Sequence, residues 1–189
     1  GDRVAIWAPN ISEWVIAAIG AQCAGAVLVT LNTRYKGSEA AYILRQSRAR
    51  LLFSIDLFLN CDYPAMLQGE ALPDLQGLIV FRAATDTTRD TKHTRWEDFL
   101  EQATATAPAL VQQRMDAIAG SDLSDILFTS GTTGNPKGVM TSHEQNLRAF
   151  ENRGDGGQGG KGGGDHDLLL ASHQFHGKLA GQGHRLRHR

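Results

Sequence analysis

The apolar positions along the chain fall into short blocks that alternate between strand-like and helix-like spacing. Arg3 to Ala8 (RVAIWA) is an apolar, β-leaning run closed by Pro9, which reads as a buried strand. Ser12 to Ala24 is Ala-rich and apolar on most sides, as suits a buried helix, with Asn10 as its N-cap and Glu13 completing a capping box. Ala26 to Leu31 (AVLVTL) is a second strand. In Gly37 to Ser47 the residues Ala40, Ile43, Leu44 and Ser47 recur at i, i+3, i+4 and i+7, one face of a helix. Ala49 to Ile55 is a third strand, Tyr63 to Gln68 a short helical stretch and Gly77 to Phe81 a fourth strand. A polar loop over 85–94 leads to a short amphipathic helix from Trp96 to Ala103. Ile126 to Phe128 and Val139 to Ser142 read as two further strands, and His143 to Phe150 as a helix.

Strands alternating with helices at this spacing predict βαβ units and a parallel, twisted sheet with helices on its faces, the α/β class. No repeat of solenoid period is present. The pattern lapses beyond Phe150. Residues 151–189 hold 11 of the 21 glycines and 5 of the 7 histidines but only 8 hydrophobic residues. Such a segment buries too little apolar surface to offset the entropy of ordering it. The expected organisation is therefore a folded domain over residues 1–150 and a disordered Gly/His-rich tail over 151–189.

Composition narrows the function classes. With 189 residues, 41% of them hydrophobic, the chain can bury the core of one domain. Its 19 Lys+Arg against 20 Asp+Glu give no electrostatic case for nucleic acid or an acidic membrane surface. No apolar run approaches the roughly 18 residues of a transmembrane segment, and no signal peptide opens the chain. Cys23 and Cys61 stand alone, without a CxxC or a disulfide framework, so a reducing, cytoplasmic location is expected. The chain opens on Gly1, already at the entry to a strand, and reads as part of something longer.

One segment carries chemistry. After Ile126–Phe128 comes Thr129-Ser130-Gly131-Thr132-Thr133-Gly134-Asn135-Pro136-Lys137-Gly138. The glycines free the backbone for positive φ and let N–H groups approach an anion with no Cβ in the way. The hydroxyls add donors and Lys137 a full positive charge, so the loop points at phosphate. A flexible Gly/Ser/Thr linker has a similar composition, but this loop lies between two strands. It is not a Walker A loop, because Lys137 is preceded by Pro136 and followed by Gly138.

This ten-residue string closely resembles the signature loop of the AMP-forming, adenylate-forming enzymes: acyl-CoA synthetases, peptide-synthetase adenylation domains and luciferases. GDRVAIWAPNISEW (1–14) and AGAVLVTLNTRYKGSEAAYIL (24–44) resemble the N-terminal domain of the fatty-acid–CoA ligase branch. The resemblance covers residues 1–150 and implies a partial N-terminal domain of the adenylate-forming fold. It implies a ligase that converts a carboxylic acid and ATP to an acyl-adenylate and pyrophosphate, then passes the acyl group to coenzyme A as a thioester, with Mg²⁺ sharing the phosphate charge. Thr129, Ser130, Gly131, Thr132, Thr133, Gly134, Lys137 and Gly138 become the ATP phosphate-binding candidates. The family's metal-binding Glu, ribose-binding Asp, hinge and catalytic Lys have no counterpart in residues 139–189, so no complete catalytic set is expected in this chain. By itself it is expected to be inactive. The alternatives are a non-catalytic remnant with weak nucleotide or pyrophosphate binding, or part of an aryl-acid or peptide-synthetase adenylation enzyme. The 24–44 stretch looks closest to ligases of fatty or sterol-derived acids.

The tail departs from the family pattern and reads as out of frame or otherwise aberrant from about Asn152, with a faint echo in Gly164-Asp165, Leu168–Leu170 and Phe175-His176. His176 is kept as a weak substrate-pocket candidate. The tail histidines match no standard metal-ligand spacing, and no metal site is expected. His143 reads as an N-cap or core histidine, Cys23 as a small buried apolar residue, Trp7, Trp14 and Trp96 as core, and Arg45, Arg48 and Arg50 as a solvated helix end.

Overall fold

The computed structural model describes residues 1–83, 93–129 and 135–154. Contacts divide the chain into two compact units, Gly1–Phe150 and Glu151–Arg189, and only the first four residues of the second are described. Residues 84–92, which make up most of the expected polar loop, lie outside the described residues, and so does the tail from 155 onward, His176 included.

The first unit is built on a seven-stranded sheet. In chain order its elements are β1 (Arg3–Trp7), α1 (Ser12–Cys23), β2 (Val27–Thr30), α2 (Gly37–Ser47), β3 (Leu51–Ile55), the small hairpin β4 (Leu57–Phe58) and β5 (Cys61–Asp62), and a 3₁₀ turn at Ala65–Leu67. There follow β6 (Gly77–Phe81), β7 (Thr94–Arg95), α3 (Trp96–Gln102), α4 (Pro108–Asp116), β8 (Leu123–Thr129), β9 (Lys137–Ser142) and α5 (His143–Gly154). The sheet order is β7-β6-β3-β1-β2-β8-β9, parallel throughout except for β9, which runs antiparallel to β8. The expected α/β architecture is therefore present, with one antiparallel edge strand added.

The chain steps from β1 to β2 in one direction, then crosses back over β1 to place β3 on its other side. Right-handed crossovers put α1 and α2 on opposite faces of the sheet. The inner strands are thus covered on both sides. Ala5, Ile6, Trp7, Val29, Leu52, Val80 and Phe81 have no exposed surface. This explains why these strands read as continuous apolar runs. β8 instead alternates, burying Ser124, Ile126 and Phe128 on one face only, while Met140 on β9 and Leu147 and Phe150 on α5 are exposed.

Two aromatic clusters fix the layers. Phe53 and Phe81 stack at 5.7 Å, and Trp96 and Phe99 of α3 close over them edge to face at 5.1 and 5.4 Å. On the other side of the sheet's centre Trp7 meets Tyr63 at 4.6 Å. Trp7 Nε1–H donates to the Asn32 carbonyl at 3.0 Å, and the Tyr63 hydroxyl donates to the Thr33 carbonyl at 2.7 Å. Both bonds hold the loop that follows β2. Trp7→Phe removes one of these donors and part of a fully buried side chain, and is expected to cost about 2 kcal/mol. The loss should be read as a lower urea midpoint with unchanged slope.

The capping box expected at Asn10 and Glu13 is not formed. α1 begins at Ser12, so the N-cap position falls on Ile11, which offers no side-chain acceptor. Glu13 is then the second helical residue, one short of the reciprocal geometry. Its carboxylate instead accepts two bonds from Arg82, at 2.8 and 3.0 Å. That pairing, with smaller help from its own N–H and the Ser12 hydroxyl and against partial burial, holds Glu13 down from 4.5 to about 2. A carboxyl depressed in the folded state stabilises the fold above its unfolded pKa and loses that contribution as pH falls through the folded one. Glu13→Gln is therefore expected to lower stability at neutral pH and to flatten the loss between pH 4.5 and about 2, so that the urea midpoints of variant and wild type differ at pH 7 and converge at the acid end of that window.

Candidate phosphate-binding hairpin

β8 and β9 form the hairpin that carries the candidate loop. Thr129 ends β8 and pairs with Lys137 at the start of β9, followed inward by Phe128 with Gly138 and Leu127 with Val139. Seven residues join the two strands, too few for a parallel crossover, which needs a dozen or more. That is why β9 turns back as an antiparallel edge. The loop opens at the carboxyl end of β8, beside the carboxyl end of its parallel neighbour β2. Ligands of open α/β sheets bind outside this edge.

The structure thus brings Thr129 and Lys137 together as the two posts of the loop, with Lys137 and Asn135 exposed. Ser130, Gly131, Thr132, Thr133 and Gly134 lie outside the described residues. Gly138 lies inside β9, at a φ that any residue adopts. Packing there is tight: a Cβ would stand 3.0 Å from Ile126 Cγ2 and 3.2 Å from Phe128 Cζ, so both side chains would have to give by a few tenths of an ångström. The positive φ expected for glycine at this position is therefore absent, and the backbone there instead lies close to the Ile126 and Phe128 side chains.

The base of the hairpin is braced by a polar cluster that pattern reading missed. The buried Ser124 hydroxyl accepts from Gln22 Nε2 of α1 at 2.9 Å and from Asn146 Nδ2 of α5 at 3.1 Å, and Asn146 also donates to the Asp125 carboxylate. The clue available in the sequence was Gln22, a polar residue in an otherwise Ala-rich helix. α5 starts with a reciprocal cap: Gln145 N–H donates to the Ser142 hydroxyl at 3.3 Å, and Ser142 N–H donates to Gln145 Oε1 at 2.8 Å. His143 is accordingly neither the N-cap nor core. It is the first helical residue, half-buried, and its N–H donates to the Asp122 carbonyl at 3.1 Å.

At the far end of the strands, Arg50 pairs with Asp2 at 2.6 Å and Arg45 with Glu70 at 3.1 Å, while Arg48 terminates α2 in a left-handed conformation at φ 52°. These cations therefore serve ion pairs and a helix end at the amino edge of the sheet, away from the loop. Trp7 and Trp96 are core as expected, and Trp14 is partly buried against it. Cys23 is half-buried rather than buried, Cys61 is exposed, and both are free. Among the described residues no group of three or more His, Cys, Asp or Glu side chains converges on a point, and no helix is long and apolar enough to cross a membrane.

Comparison with known proteins supplies the context. A family model described as AMP-binding enzyme matches residues 1–177, a span that includes the Gly164-Asp165 and Phe175-His176 echo. Over 148 residues the chain is 43% identical to the 3-[(3aS,4S,7aS)-7a-methyl-1,5-dioxo-octahydro-1H-inden-4-yl]propanoyl:CoA ligase of Mycobacterium tuberculosis, covering 78% of this chain and 28% of that protein. Over 160 residues it is 32% identical to the mitochondrial medium-chain acyl-CoA ligase of Mus musculus, covering 76% and 25%. Among solved structures, the anthranilate CoA ligase AuaEII in complex with anthranoyl-AMP superposes with a TM-score of 0.57 at 26% identity, covering 76% of this chain and 25% of that one. The chain therefore spans about a quarter of the length of these relatives. With the hairpin, the parallel sheet and the family match in agreement, the chain belongs to the AMP-binding enzyme family.

Proposed function

We propose that this chain is the phosphate-gripping part of an AMP-forming CoA ligase for fatty or sterol-derived carboxylic acids. The observation that carries this reading is the pairing of Thr129 with Lys137 across the mouth of a glycine- and hydroxyl-rich loop at the carboxyl edge of a parallel sheet. A carboxylate is a poor electrophile. In the proposed reaction its oxygen attacks the α-phosphorus of ATP, the bond to the β-phosphate breaks, and pyrophosphate leaves, giving an acyl-adenylate. The thiol of coenzyme A then displaces AMP to form the thioester.

Within this chain, Lys137 supplies a cation to the departing pyrophosphate, and Thr129, Ser130, Thr132 and Thr133 supply hydroxyl donors. The loop N–H groups at Gly131 and Gly134 complete the cradle. Donors set where charge develops are worth a few kcal/mol each to such a step. The described side chains do not form a metal cage. Mg²⁺, a hard cation that prefers oxygen ligands, would share the charge of the ATP phosphates.

The names of relatives support the substrate class: one activates a propanoate borne on a fused-ring dione and another a medium-chain acid. Isothermal titration with pyrophosphate and with MgATP tests the reading. Binding of both is expected, and failure of well-folded chain to bind either overturns it. Pyrophosphate exchange into ATP with a panel of carboxylic acids then asks whether the first half-reaction needs the remaining three quarters of the relatives' length.

A further inference from the structure

We propose that Tyr42 is a positioning residue for the start of β9: from the middle of α2 its hydroxyl meets the carbonyl of Pro136 and sets where Lys137 stands. The two residues lie 94 positions apart, and the contact is 3.5 Å. Pro136 is the last loop residue before the ladder begins at Lys137. It has no N–H to give to the partner strand, so its carbonyl is the group by which this point of the backbone can be held. Tyr42 is suited to hold it. Its ring is partly buried against the core, between fully buried neighbours Ala41 and Ile43 on α2, so the hydroxyl is carried by the rigid layer rather than by the loop.

The contact falls one residue before Lys137, and one residue after it Gly138 lies close to the Ile126 and Phe128 side chains. Lys137 is thus bracketed: packing fixes the residue after it, and Tyr42 fixes the residue before it. A phenylalanine would pack the same ring, so the hydroxyl is the part that acts on the loop.

What Lys137 does once positioned rests on the phosphate reading above; the positioning itself does not. The test uses the full chain, with Tyr42→Phe and Tyr42→Ala, and three readouts. These are amide hydrogen exchange at Lys137 and Gly138, affinity for inorganic pyrophosphate, and Tm. Tyr42→Phe is expected to speed exchange at those two amides about two- to tenfold, the scale of one net hydrogen bond, and to weaken pyrophosphate binding by a similar factor with Tm unchanged. Tyr42→Ala should add a fall in Tm from lost packing. If Tyr42→Phe leaves exchange unchanged, the proposal is overturned, whatever happens to affinity. If wild type binds no pyrophosphate yet exchange responds to Tyr42→Phe, positioning stands and the phosphate reading falls.

Discussion

Alanine at position 37 is expected to destabilise the fold by about 3 kcal/mol or more, whereas alanine at position 20 should stabilise it by about 0.5–1 kcal/mol. Both glycines are helical, one opening α2 and the other inside α1. A Cβ on Gly37 would stand 1.9 Å from the Met66 carbonyl oxygen and 2.8 Å from its carbon. The obstacle is backbone, so no rotamer change relieves it. α2 must lift from the Ala65–Leu67 turn, which gives up the packing of its buried face. A Cβ on Gly20 meets nothing within 4 Å and only restricts the unfolded chain. Urea unfolding of the two variants should therefore shift the midpoint in opposite directions. A shift in the same direction would show that the α2–turn contact is looser than the structure has it.

The second large effect is on binding. Lys137→Ala is expected to weaken pyrophosphate and MgATP binding about ten- to hundredfold, the range of one charge-assisted hydrogen bond. Stability should hardly change, because Lys137 is exposed and its cross-strand partner Thr129 keeps the ladder register. The wild-type affinity should also fall more steeply with salt than that of the variant, since a full charge has been removed. Equal affinity for wild type and variant would place the anion elsewhere.

Much of the fold was legible because the inner strands are buried on both faces and leave uninterrupted apolar runs. Gly37–Ser47 and Gly77–Phe81 fall where periodicity places them. The β4–β5 hairpin was not legible. Its strands are two residues long, and its turn puts Leu59 and Asn60 at φ 51° and 60° without the glycine that usually marks such a turn. α4 was missed because its apolar residues Leu110, Val111 and Met115 are exposed rather than gathered on a buried face. In the candidate site, Lys137 and Thr129 could be read from a local string. Gln22, Asn146 and Tyr42 could not, since Gln22 and Tyr42 reach partners 102 and 94 residues away and Asn146 reaches back across the whole hairpin.

The strand order also bears on how the nascent chain matures. By the time Phe81 is made, β6, β3, β1 and β2 are complete and can assemble as a four-stranded sheet. β8 must then add to the free side of β2, closing a loop of roughly ninety residues, a slow step in chain-closure terms. Until it does, Val27–Thr30 presents an unpaired apolar edge to other chains. Among the described strands, the hairpin that carries Lys137 is thus the last to be made, and its first strand covers the apolar edge of β2. Yield during synthesis will therefore depend on how fast the hairpin docks, independently of any ligand it later holds.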